Sequence, residues 1–386
     1  MPEQLMDPRG PNAALIGEPG SRHRLETPAL VLDVDVLERN INAMASHAKR
    51  RGYGLRPCFK VYKSVEIARR QMAAGALGVC CATLAEAECT VAAGIGSVLL
   101  FTTVVTPGKL ERLAELNARA GELIVVTDDP GNVADLAKAA RKTGRVLEVM
   151  ADYEMGGGRT GARDAGQTVA LARLIADTPG LHYAGLQAYN GRILGIPDYA
   201  ARRAASFERI AMLQEVIAQL TSHGLTPQIV SGGGTGTYDI DPDAGVFTEI
   251  QAGTYVLMDV MYGQVQLHSD GPGPFGQALS VCASVVSAAG EGFAITDGGA
   301  KEIDGVFGTL QPVITAGAPD GSTYSMVGDD LGRIDFPAGA QIPSVGDRIS
   351  LIPPHSWQTV PLYGLYHCVS GDTLVDIWPV DALASW

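Results

Sequence analysis

The sequence predicts an α/β fold in which a (β/α)8 TIM barrel is followed by a second, all-β domain. Three observations lead there. Short β-type runs alternate strictly with helical stretches, the runs number eight, and from about Pro272 the helical periodicity stops. In chain order, Ala29-Leu30-Val31-Leu32-Asp33 leads into a helix-like segment ending near Arg50. The eight strands then fall at 55–60, 78–82, 97–102, 122–126, 146–150, 183–188, 228–230 and 246–251. Between most of them apolar residues recur at three- and four-residue spacing, as at 65–72, 84–93 and 207–223. A doubly wound open sheet is the rival, disfavoured because eight strands close a ring and polar residues sit at the strand ends. The later runs 278–289, 292–297, 346–352 and 373–378 alternate between Gly and Asp turns and read as β-strands. A linker with Gly271-Pro272-Gly273-Pro274 sets the expected division: a barrel over 26–268, with 1–25 and 269–386 forming the β-domain.

The 386 residues are 46% hydrophobic and 18% charged, enough for a sizeable core and unlike a disordered chain. A net charge of −13 argues against a nucleic-acid partner. No run reaches the roughly 18 apolar residues of a membrane helix. Residues 1–24 lack a signal-type apolar stretch, so a cytoplasmic location is expected. The six cysteines form no CxxC pair, and Cys80-Cys81 reads as small buried hydrophobes.

Chemistry in such a barrel gathers where strands end and βα loops begin. Those positions hold Lys60, Thr83, Thr102, Thr103, Asp128, Arg159, Tyr189, Asn190 and 231–237. Ser231-Gly232-Gly233-Gly234-Thr235-Gly236-Thr237 can turn successive N–H groups on an anion, with Thr235 and Thr237 adding hydroxyls. A flexible surface loop is the bland alternative. Lys60 is an amine that could form an imine if a neighbouring cation such as Arg56 or Lys63 lowers its pKa. A solvated surface lysine is the alternative, and Lys63 is a competitor for the role. An amine beside an anion cradle is what a phosphorylated aldehyde requires. Gly156-Gly157-Gly158-Arg159-Thr160-Gly161 presents one guanidinium among glycines, suited to a flat anionic ligand or else to an exposed turn.

The segments Thr27-Pro28-Ala29-Leu30-Val31-Leu32-Asp33, Gly158-Arg159-Thr160-Gly161, Gly185-Leu186-Gln187-Ala188-Tyr189, Gln251-Ala252-Gly253-Thr254-Tyr255 and Val375-Asp376-Ile377-Trp378-Pro379-Val380 occur in order. With the Lys60 segment and 231–238 they resemble the D-threonine aldolase and D-serine dehydratase family. Val79-Cys80-Cys81 and Val230-Ser231-Gly232 look nearest its 3-hydroxy-D-aspartate aldolase branch. The resemblance spans about 26–380. It implies an alanine-racemase-like, fold-type III pyridoxal 5′-phosphate enzyme, usually a homodimer. It places the Schiff base on Lys60, the phenolic-oxygen contact on Arg159 and Tyr189 beside the ring. It puts the phosphate at Ser231, Gly234, Thr235, Gly236, Thr237, Gly253, Thr254 and Tyr255. The family's divalent-metal pair, His-x-Asp or His-x-Cys, is represented by His355 with Trp357 at the partner position. Tryptophan offers no metal ligand and one imidazole makes a poor site, so a metal is expected to be absent or weakly held. Cys58 beside His355 could be a substitute ligand, or simply a buried thiol. The family's histidines near the lysine are replaced here by Cys58 and Tyr62, and its tyrosine-histidine pair by Tyr189-Asn190.

Three functions follow from that resemblance. The first is a lyase cleaving Cα–Cβ of a β-hydroxy-D-amino acid to glycine and an aldehyde or oxoacid, with His355 as base and little or no metal dependence. The second breaks Cα–H instead, as a racemase or α,β-eliminase (dehydratase), with Lys60 on one face and His355, Tyr62 or Cys58 on the other. The third is a non-catalytic cofactor carrier, which the intact Lys60, Arg159 and phosphate segments oppose.

Overall fold

The computed structural model describes residues 7–304 and 310–383. After β1 (Ala29–Asp33) and α1 (Val34–Arg51), eight strands alternate with six long helices: β2 (Gly54–Leu55), α2 (Val65–Ala73), β3 (Val79–Cys81), α3 (Leu84–Ala92), β4 (Ser97–Leu100), α4 (Pro107–Arg119), β5 (Glu122–Thr127), α5 (Pro130–Thr143), β6 (Leu147–Asp152), α6 (Ala165–Asp177), β7 (Leu181–Ala188), α7 (Tyr199–Ser222), β8 (Ile229–Gly232) and β9 (Glu249–Ile250). Every predicted barrel strand is present in order. β2 to β9 pair in parallel in the order β2-β9-β8-β7-β6-β5-β4-β3. Leu77 N donates to Leu55 O and Cys80 N to Pro57 O, each at 2.9 Å, and a parallel bridge joins Cys58 to Cys80. These contacts close the ring between β2 and β3.

The strands read as continuous apolar runs because both of their faces are buried. Cys80, Leu99, Ile124, Val126, Met150 and Ala184 fill the interior, while Val79, Val98, Leu100, Leu123 and Val125 pack outward on the helices. Asp33, Thr83, Asp129, Asp164 and Asp198 cap their helices by accepting from backbone N–H groups. Thr83, a strand-end candidate, is therefore a cap whose oxygen accepts from Glu86 N at 3.2 Å.

After a short helix, α8 (Val260–Gly263), come β10 (Leu279–Gly290), β11 (Phe293–Thr296), β12 (Val313–Ala316), β13 (Thr323–Met326), β14 (Gly332–Asp335), β15 (Arg348–Ile352), α9 (Ser356–Thr359), β16 (Leu365–Ser370) and β17 (Thr373–Pro379). The second sheet runs β13-β14-β11-β10-β1-β16-β17, with β15 joining β10 to β12. β1 is the correction here. It lies inside the span expected for the barrel, yet it pairs antiparallel with β10 and parallel with β16. The reason is burial on two faces: Leu30 and Leu32 enter the main core, while Ala29 and Val31 pack with Leu25, Val369 and Leu374. β10 and β16 satisfy its two edges, while the two clusters cover its two faces.

Leu32→Ala should lower stability by about 2–5 kcal/mol, because a fully buried side chain leaves a cavity between the two domains' shared core. Urea unfolding followed by circular dichroism measures it, and a wild-type midpoint would show that β1 packing is dispensable.

Candidate active site

A cavity of ≈ 610 Å3 opens at the carboxyl ends of the barrel strands. It is lined by the ends of, and the loops after, β2 (Cys58, Lys60, Val61), β6 (Asp152, Glu154, Arg159, Thr160), β7 (Gln187, Tyr189, Arg192, Leu194), β8 (Gly234, Thr235) and β9 (Gln251, Gly253, Thr254), with Phe101, Met261, Tyr262 and Trp357 also on the wall.

Lys60 reaches it from a 3-10 turn, Phe59–Val61, rather than from the strand end expected. The chain stays extended through Cys58, where Arg56 N donates to Ile250 O and Cys58 N to Ala252 O. The buried Phe59 and Val61 side chains then anchor the turn and leave Lys60 facing the cavity. Both cations expected to act on it are spoken for. Arg56 Nε pairs with Glu249 at 2.8 Å, and Lys63 Nζ pairs with Glu86 at 2.6 Å and donates to Ala382 O. Buried counter-charges cancel most of their field at Lys60. The Lys63 amine is held in this buried pair and does not line the cavity, whereas Lys60 does.

Gly234 and Thr235 of the glycine segment line the cavity. The N–H groups of Gly234, Thr235 and Gly236 find no acceptor among the described residues, although the segment is buried. A Cβ at Gly236 would stand 2.0 Å from Leu194 O, and one at Gly253 would stand 2.7 Å from the Val61 side chain. Buried donors without acceptors, packed where no side chain fits, suit an anion. The hydroxyls divide into two kinds. Ser231 Oγ donates to Glu249, Thr237 Oγ1 donates to Asp241 at 2.5 Å, and Thr235 Oγ1 accepts from Tyr255 N at 3.1 Å. Ser231 and Thr237 brace the segment from behind, while Thr235, whose hydroxyl only accepts there, keeps its proton for the cavity it lines. Tyr255 is fully buried behind it, its hydroxyl accepting from Gln71.

Arg159 stacks over Tyr189, with Cζ 5.5 Å from the ring centroid. Asn190 Nδ2 donates to Met155 O, and Asn190 Oδ1 accepts from Arg192 N. Cys58 lines the cavity; its thiol is drawn below the usual range first by a hydrogen bond with the Cys80 thiol, against burial, with the charge on Lys60 helping. Tyr62 lies outside the cavity, fully buried edge-on to Phe59, with its hydroxyl unpartnered among the described residues. His355 is also off the wall. Its Nδ1 lies 2.7 Å from Asp304 Oδ2, and its ring lies 4.7 Å from that of Trp357, which does line the cavity. Among the described residues no group of three or more His, Cys, Asp or Glu converges to hold a metal.

Sequence reasoning missed Asp152. The apolar run ends at Met150, but β6 continues two residues further and places this carboxylate on the cavity. Burial pushes it up to about 6, against a hydrogen bond from Thr160 Oγ1 at 2.6 Å. Gln187 and Gln251, whose amides bond at 2.7 Å, were missed too, because neutral side chains carry no signal of chemistry.

The alanine racemase N-terminal domain family matches residues 32–260, and a serine dehydratase domain matches 278–369. The chain belongs to this alanine-racemase-like family. It is 36% identical to the D-threonine aldolase of an Arthrobacter species, over 96% of both chains. It is 33% identical to the 3-hydroxy-D-aspartate aldolase of Paracoccus denitrificans (strain Pd 1222), over 93% of this chain and 92% of that protein. The crystal structure of a D-threonine aldolase from Filomicrobium marinum superposes with a TM-score of 0.89 at 36% identity, covering 93% of this chain and 96% of that one. For this family member the unsatisfied N–H groups, the free amine of Lys60 and the guanidinium of Arg159 fit the family's pyridoxal phosphate.

Two outcomes are expected. Gly236→Ala drives a methyl group into Leu194 O and should abolish saturable pyridoxal phosphate uptake, measured by fluorescence titration; wild-type uptake would place the anion elsewhere. The second concerns the sign of a linkage. A carboxyl raised from 3.8 to about 6 loses its proton less readily folded than unfolded, so it weakens folding as pH rises through that window. Asp152→Asn should therefore be more stable than wild type at pH 7, by on the order of 1–3 kcal/mol, and no more stable at pH 4. Thermal melts at the two pH values measure the difference.

Proposed function

We propose that this chain is a pyridoxal-phosphate-dependent lyase that cleaves Cα–Cβ of a β-hydroxy-D-amino acid, releasing glycine and an aldehyde or oxoacid. The observation that carries it is the convergence of Lys60, Arg159, Tyr189 and the unsatisfied N–H groups of Gly234, Thr235 and Gly236 on one cavity. Similarity to aldolases over nearly the whole chain supports the reaction type. The cofactor, when bound, supplies an electron sink for negative charge at the amino acid's Cα.

The chain's own residues do the rest. Lys60 is the amine for the cofactor's aldehyde. The cradle N–H groups, with Gly253 and Thr254 alongside, hold its phosphate, and Arg159 sets a positive charge against its phenolic oxygen. The stack on Tyr189 limits where that guanidinium can go. His355, packed behind Trp357 rather than on the cavity wall, becomes the base for the β-hydroxyl only when Trp357 turns aside. Asp304 engages Nδ1 and leaves Nε2 to take the proton. Trp357 stands where a second metal ligand would be needed, so we expect little or no metal dependence. Phe101, Met261, Tyr262 and Trp357 make that part of the cavity apolar and keep water from the reacting atoms. No helix among the described residues is long and apolar enough to cross a membrane. Likeness to the family supports a cytoplasmic homodimer, for which light scattering should give twice 40.4 kDa.

Purified protein loaded with pyridoxal phosphate should release glycine from D-threonine, D-phenylserine or 3-hydroxy-D-aspartate, equally well with and without a chelator. Ammonia and an oxoacid in place of glycine would assign it to the eliminases, and exchange of Cα–H without cleavage to the racemases. Lys60→Ala should keep the wild-type circular dichroism spectrum and lose the borohydride-trapped adduct at that position.

A further inference from the structure

Four glycines make 156–161 one of the least constrained segments a chain can contain, yet this loop carries the guanidinium at the cavity. Gly156, Gly158 and Gly161 adopt φ of 86°, 68° and 116°, and glycine loses more conformational freedom on ordering than any other residue. Something must hold it. Three carboxylates do. Glu154 Oε1 accepts from Gly158 N at 2.8 Å, Asp152 Oδ2 accepts from Thr160 Oγ1 at 2.6 Å, and Asp128 Oδ2 accepts from Gly161 N at 2.8 Å. Ala162 N donates to Asp152 O, and Glu154 N to Ala162 O, which ties the far end of the loop back onto the end of β6. The three carboxylate tethers fall on residues 158, 160 and 161, on both sides of Arg159, and leave its side chain directed over Tyr189.

We propose that Asp152 is the positioning residue for Arg159: through Thr160 and through its own charge it holds the guanidinium over the cavity, with Asp128 and Glu154 completing a carboxylate clamp on the loop. Asp152 is the member that is both buried, at 5% exposure, and on the cavity wall. Among the described residues Arg159 has no salt bridge at contact distance, so its charge stays available to a ligand while Asp152 attracts it from the same wall. An arginine closed in a direct pair would be spent, and one on an untethered glycine loop would spread over many positions. The charged groups acting on Asp152 are Asp128 and Glu154, which push its pKa up, and Arg159, which pulls it down. Protonation of Asp152 as pH falls through about 6 removes the charge that holds Arg159. The proposal rests on the reading that Arg159 meets the cofactor's phenolic oxygen.

The test uses the full chain with and without pyridoxal phosphate, comparing wild type with Asp152→Ala, Asp152→Asn, Asp152→Glu and Thr160→Val. By hydrogen exchange of the cofactor-free protein, Asp152→Ala and Thr160→Val should raise deuterium uptake across 156–161 by about tenfold or more, with the barrel strands unchanged. Asp152→Asn keeps an acceptor for Thr160 but loses the charge. It should weaken pyridoxal phosphate binding about tenfold and shift the pH midpoint of the bound cofactor's absorbance, while Asp152→Glu restores both toward wild type. Wild-type uptake in Asp152→Ala, or an unchanged absorbance midpoint in Asp152→Asn, would overturn the proposal. A wild-type protein that fails to release glycine, yet shows these loop and spectral effects, would sink the lyase reading and leave this one standing.

Discussion

The seam where β2 meets both of its neighbours is the constraint on which the site depends. β2 itself is two residues long, but its extension through Arg56, Pro57 and Cys58 keeps bonding to the chain after β9 on one side and to β3 on the other. Pro57 has no N–H, and its position there costs nothing because its carbonyl is what β3 requires, through Cys80 N. Inside the seam, Arg56 and Glu249 form a buried pair that also engages Ser97 and Ser231. A charge pair so fully desolvated adds little net stability, but either half alone would be intolerable, so the two strands must meet in this register. The turn that bears Lys60 leaves from this seam, and Gly253 packs directly against it. The distance between the amine and the anion cradle is thus a property of barrel closure.

Buried carboxylates brace the rest of the working end. Asp241 accepts from Ser206 and Thr237 behind the cradle, Asp259 accepts from Tyr262 and Ser356 behind the Trp357 wall, and Asp152 accepts from Thr160 beside Arg159. Burial pushes each of the three up to about 6 despite these donors. Each one weakens folding at neutral pH in return for a fixed loop. Such spending of stability is expected where geometry matters more than robustness.

The parts of this architecture that were legible in the sequence are those set by local chemistry. The eight barrel strands stood out because parallel strands are apolar on both faces, and Lys60, Arg159 and the glycine segment stood out as reactive or unusual types at strand ends. What stayed hidden depends on partners distant in the chain. Ser231 and Thr237 look like ligand donors until Glu249 and Asp241 are seen to accept their hydrogen bonds. Tyr62 looks like an acid-base residue until its ring is found in the core beside Phe59. Arg56 and Lys63 look like free cations until Glu249 and Glu86 are placed against them. β1 looks like any other strand before a helix, because membership of a sheet is written in two strands some 250 and 335 residues further on.

That last arrangement bears on how the protein comes off the ribosome. β1 is made early, but the two strands that flank it emerge at Leu279–Gly290 and Leu365–Ser370. The carbonyl of Lys63, three residues past Lys60, accepts a bond from Asp381 N. The barrel's hydrogen-bonded ring can close on the nascent chain as soon as β9 is out, whereas an apolar strand of five residues waits uncovered until β10 and β16 have followed it.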